Sequence, residues 1–145
     1  MSAVSKLCSI AIALCAVTTA ASVSAQAPSA APPAGGPPVI FRAPLADIPG
    51  KEIVVVALTI PPRRTDLPSA GHRHPGSVYV YVTEGTARFG IEGQPVQEVK
   101  TGQSFFEPPG VLHTVMESAD PTKSAAAIAV MIVPNGAPLT LPATQ

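Results

Sequence analysis

The sequence predicts an all-β, single-domain fold of the barrel or sandwich type, and three observations predict it. The 145-residue chain carries 18 prolines and 11 glycines. That composition suits short strands joined by tight turns better than long helices. Apolar and β-branched runs recur with turn signals between them at roughly 8–12-residue spacing. No stretch carries a convincing helical period, and no internal repeat is visible. The length suits one domain better than two.

Ordered structure is not expected at the start. Residues 1–25 read as a signal peptide: Lys6 opens it, the apolar run Leu7 to Val17 follows, and small residues lead to Ala25, with Val23 two positions earlier. A membrane-spanning helix needs roughly 20 apolar residues, and Thr18, Thr19, Ser22 and Ser24 interrupt the run too soon. Neither Cys8 nor Cys15 follows the small residue that lipoprotein processing prefers. Both cysteines fall in this segment, so the mature chain is expected to hold no thiol or disulfide, as suits export to the periplasm or medium. Residues 26–38, QAPSAAPPAGGPP, read as a Pro/Ala/Gly-rich disordered or polyproline-like linker. The folded domain is expected over 39–142.

Within it, EIVVVALTI (52–60) is a β-branched strand halted by Pro61-Pro62. RRTDLPSAG (63–71) is a loop. SVYVYVTEG (77–85), TARFGI (86–91) and PVQEV (95–99) are strands, with turns at Glu84-Gly85 and at EGQ (92–94). QSFFE (103–107) and VLHTVME (111–117) read as a hairpin about Pro108-Pro109-Gly110. SAAAIAVMIV (124–133) has alanines that favour a helix. It runs directly into Val-Met-Ile-Val, so a strand is expected.

Charge excludes some partners. Lys+Arg and Asp+Glu number nine each, and no block of either sign occurs. Nucleic acid is therefore not an expected partner, and a small molecule or a second copy of the chain is.

The three histidines carry the chemistry. In a strand alternate side chains share a face, so His72 and His74 point one way with Val78, Val80 and Val82, and Arg73, Tyr79 and Tyr81 the other. His113 follows the Pro-Pro-Gly turn on a different strand, with Val115 and Glu117 on its own face. A closed barrel can bring such strands around one axis, and three neutral imidazoles can hold a borderline divalent metal.

These residues resemble the cupins. The first cupin motif, H-x-H followed by a glutamate and a glycine, is met by His72, His74 and Gly85. The second, Gly-x5-Pro-x-Gly-x2-His, is met by Gly102, Pro108, Gly110 and His113. The resemblance implies a double-stranded β-helix, the jelly-roll cupin barrel, often homodimeric, with a metal inside. Two positions depart from the pattern: Val78 stands where the family carries its glutamate, and Glu117 where it carries an asparagine. About 13 Å of strand separates His113 from Glu117, slightly more than one ion bridges without a bulge. Glu117 is therefore expected to orient water or substrate. The expected site is His72, His74 and His113 around a divalent ion, Fe(II) favoured, with Mn, Zn, Ni or Cu as alternatives. The leading functional expectation is a three-histidine dioxygenase acting on a small organic molecule. Its rivals are a non-enzymatic ligand-binding or sensing cupin and a metal-dependent isomerase or lyase. Arg88 reads as an outward arginine, Glu107 as part of the rim, and one of Phe105 and Phe106 as core.

Overall fold

The computed structural model describes residues 36–64 and 71–144. The expected signal peptide, most of the expected linker and residues 65–70 of the loop lie outside the described residues. The described chain forms strands and no helix: β1 (Val39–Pro44), β2 (Lys51–Ile60), β3 (His72–Arg73), β4 (Ser77–Glu84), β5 (Thr86–Ile91), β6 (Gln97–Lys100), β7 (Ser104–Glu107), β8 (His113–Ser118), β9 (Ala125–Pro134) and β10 (Leu141–Pro142).

They build two five-stranded sheets, β1-β2-β9-β4-β7 and β10-β3-β8-β5-β6, in which every pairing is antiparallel. The all-β fold read from the sequence is the fold observed. β9 is the strand expected. Flanked by β2 and β4, it makes ladder bonds on both sides, and that pairing overrides the helix propensity of its alanines.

The structure corrects the sequence reading in three places. β1 and β10 were not foreseen as strands: β10 is two residues long and is recruited to an edge by β3, far away in sequence, whereas β1 runs between Pro38 and Pro44 and pairs at the other sheet's edge with β2, the next strand. The hairpin expected from residues 103–117 does not form. β7 pairs with β4 in one sheet, and β8 pairs with β3 and β5 in the other. Pro108 and Pro109 have no N–H to give a ladder, and their turn carries the chain across the barrel. The third correction concerns parity in β8. Gly90 stands opposite Val115 but Ile91 opposite His113, so β8 carries an extra residue at Thr114. Such a bulge reverses which side chains face inward. His113, Met116 and Ser118 partner the inward Ile91, Phe89 and Ala87, whereas Val115 and Glu117 lie outward beside Gly90 and Arg88.

The core lies between the sheets. Val54, Val56, Val78, Val80, Val82, Phe89 and Phe105 are buried there, with Ala125, Ala127 and Ala129 of β9 facing them. Phe89 stacks on Phe105 at 5.1 Å between ring centroids and lies 6.0 Å from the His113 ring. Phe106, Tyr79 and Tyr81 alternate to the outer face of the first sheet and are exposed.

Candidate metal centre

The two histidine segments are fastened to each other by backbone as well as by side chains. His72 is the direct register partner of His113. The Gly110 N–H donates to the His74 carbonyl at 2.9 Å. Arg73, on the face opposite the histidines, donates to the Gly110 carbonyl at 2.7 Å and to that of Ala143 at 3.2 Å. Gly76 makes the path between His74 and β4 feasible, since a Cβ there would lie 1.9 Å from the Ile132 carbonyl oxygen. The H-x-H-P-G and P-P-G-x-x-H segments are thus one mechanical unit.

All three rings are aimed at a common point. One ligand nitrogen from each of His72, His74 and His113 falls within 4.8 Å of the others. Hydrogen bonds decide which nitrogens these are. His74 donates from Nδ1 to the Leu139 carbonyl at 2.6 Å, which leaves the Nε2 lone pair facing His72 Nε2 at 3.1 Å. His113 donates from Nε2 to the Val115 carbonyl at 2.7 Å, which leaves Nδ1. This ordering of a ring by its second nitrogen is usual for metal-binding histidines. Burial lowers the pKa of each ring, for His72 together with the neighbouring His74. For His113 burial and the other two rings bring it to about 4. Near neutral pH the lone pairs are therefore available.

A carboxylate joins them that the sequence reading placed on the rim. Glu107 is 3% exposed, and its Oε2 lies 3.4 Å from both His74 Nε2 and His113 Nδ1. Burial pushes its pKa up to about 7. Glu107 Oε2 and His113 Nδ1 are the buried side-chain polar atoms without a hydrogen-bond partner among the described residues. Such orphans are costly and call for an explanation. The spacing supplies one. Ligands bound at about 2.1 Å are about 3.0 Å apart at right angles and about 3.4 Å apart at a tetrahedral angle. The Nε2 atoms of His72 and His74 are 3.1 Å apart, and the Glu107 contacts match the wider spacing. The donor types suit a divalent ion of the first transition row, which would draw the three ring nitrogens, now within 4.8 Å of one another, in to its own bond length.

The sequence held a signal for Glu107 in strand parity. If Phe105 points into the core, so does Glu107 two residues on, and an inward carboxylate requires a partner. Glu117 does not line the cavity. The bulge turns it outward, where it pairs with Arg88 and lies 3.9 Å from Arg63. The expectation that Glu117 orients water or substrate is corrected by that placement.

The ring cluster closes one part of a cavity of about 470 Å³, whose remaining wall is apolar and includes Val56, Leu58, Val78, Val80, Met116 and Met131. A sequence profile of the cupin-domain family matches residues 57–131. The chain is a cupin. No curated protein sequence matches it. Among solved structures, an uncharacterised conserved protein with a double-stranded β-helix domain from Klebsiella pneumoniae matches at 23% identity and a TM-score of 0.51, over 77% of this chain and 88% of its own. The polyketide cyclase RemF of Streptomyces resistomycificus matches at 20% and 0.50, over 64% of this chain and 61% of its own. The DMSP lyase DddQ of Ruegeria pomeroyi matches at 20% and 0.48, over 65% of this chain and 43% of its own, so this cupin spans less than half of that enzyme. The first two likenesses bear out the fold. In the cupin motif the carboxylate position falls on Val78, and Val78 is the cross-strand register partner of Glu107. The charge absent from one strand is present on the next, at the same level of the barrel.

Proposed function

We propose that this cupin is an exported metal-dependent protein that acts on a small organic molecule, with His72, His74, His113 and Glu107 holding one divalent ion. The observation that carries the reading is the pair of orphaned buried atoms, Glu107 Oε2 and His113 Nδ1, aimed at the point where the histidine nitrogens converge. Bound there, an ion would supply Lewis acidity and, if it is Fe(II) or another redox-active metal, a means of activating dioxygen. The leading chemistry is that of a dioxygenase. The chain's own part is to fix the rings through Leu139 and Val115, to offset one unit of the ion's charge through Glu107, and to hold substrate in a wall that excludes water. Besides the four donors, the titratable side chains of the described lining number none. That supports chemistry centred on the ion over an isomerase or lyase that would need a separate base. The same observation supports the second reading, a binding or sensing cupin without turnover.

Elemental analysis of the protein isolated from its native compartment tests the proposal. A stoichiometric ion in wild type, lost in His72→Ala, His74→Ala and His113→Ala, is the expected result. Wild-type protein without metal under those conditions overturns it. Oxygen uptake with metal-loaded protein and a panel of diketones, phenols and thiols separates the dioxygenase from the binder. A homodimer is proposed as the assembly, to be checked by light scattering.

A further inference from the structure

We infer that the cavity takes an uncharged, apolar molecule that presents a single hydroxyl or enol oxygen to the ring cluster, and that it refuses any ligand charged elsewhere along its length. This deepens the metal-dependent reading and rests on it for the orientation of the oxygen. The argument starts from what the wall lacks. Apart from the three histidines and Glu107, the only side-chain polar group among the described residues of the wall is the Thr140 hydroxyl. No lysine or arginine is among the described residues that line it, and three arginines of the surrounding strands are engaged elsewhere. Arg73 is spent on the Gly110 and Ala143 carbonyls, Arg88 on Glu117, and Arg42 lies 3.8 Å from Glu52.

An anionic tail on a ligand would therefore be buried without a partner, which costs several kcal/mol unless the group stays in water. A cationic tail fares no better. Among the described residues that line the cavity, Glu107 at the ring cluster is the one carboxylate, and none is a phenylalanine, tyrosine or tryptophan that would offer a π face. The remaining wall is valine, leucine, alanine, proline and methionine, which rewards apolar area alone. Met116 and Met131 are unbranched and adapt to irregular outlines, so shape is less restrictive than charge. The volume lies in the lower half of the range of about 300–1,000 Å³ typical of small-molecule sites.

The test uses three phenols that differ only in the tail: 4-propylphenol, 3-(4-hydroxyphenyl)propane-1-sulfonate and 3-(4-hydroxyphenyl)propylammonium. Sulfonate is chosen because it is a poor metal ligand. Binding to wild-type protein is measured by calorimetry, in the metal-free form and after loading with redox-inert Zn(II), with zinc content determined separately. The expected result is that 4-propylphenol binds at least tenfold more tightly than either charged analogue in both forms. Equal binding of all three, preference for a charged tail, or binding of none overturns the inference. Failure to retain zinc speaks against the metal reading alone, because the order of affinities in the metal-free protein still decides the charge selectivity.

Discussion

Replacing Glu107 with glutamine should stabilise the metal-free protein above neutral pH while weakening its hold on metal. The carboxyl is buried and its pKa stands at about 7 against an ordinary 4.5. In the unfolded chain it ionises above 4.5, whereas in the folded metal-free protein it keeps its proton until about 7. The folded state therefore binds more protons over this window, and its stability falls as pH rises from 4.5 to 7 and is flat beyond. At about 1.4 kcal/mol per pH unit the loss is about 3 kcal/mol. Glutamine does not titrate, and its amide can donate to His113 Nδ1 and His74 Nε2, the acceptors that Glu107 now faces at 3.4 Å. The advantage of Glu107→Gln over wild type should grow by about 3 kcal/mol between pH 4.5 and 7.5, roughly 10–20 °C in Tm. His113, lowered to about 4, makes the metal-free fold less stable as pH drops from 6.5 towards 4. That trend is shared by both proteins and cancels in the difference. With metal present the sign reverses, and Kd should rise at least roughly tenfold. Thermal melts across pH with chelator, paired with metal titrations, read both effects. If the stability difference does not change with pH, or if the variant binds metal as wild type does, Glu107 is not a buried ligand.

Other substitutions separate the site from its surroundings. Glu107→Val should lose metal, and Val78→Glu/Glu107→Val should regain it, because Val78 and Glu107 are register partners; metal content after dialysis decides. Glu117→Gln should leave metal content unchanged and cost about 1 kcal/mol in urea melts, since it breaks only the outward pairs with Arg88 and Arg63. A drop in bound metal would return Glu117 to the site. Gly76→Ala should cost about 2–3 kcal/mol or more, as its Cβ would meet the Ile132 carbonyl oxygen at 1.9 Å. It should also weaken metal binding by shifting His74, and a wild-type melt would show that β4 and β9 can separate freely there.

Much of this protein was legible along the chain because its signals are local. Alternation in SVYVYV, the Pro-Pro-Gly turn and the one-residue spacing of His72 and His74 each depend on a few consecutive residues. Strand periodicity and turn chemistry need nothing further to be read. Tertiary structure decided the rest, because a carboxylate's role depends on which face it presents and across from what. One extra residue at Thr114 turned Glu117 to the outside, and the crossing of β7 to the first sheet set Glu107 beside Val78 and against two imidazoles. Facing is fixed by pairing between strands far apart in the chain. A single-residue bulge, which leaves little trace in composition or period, was enough to take Glu117 out of the cavity.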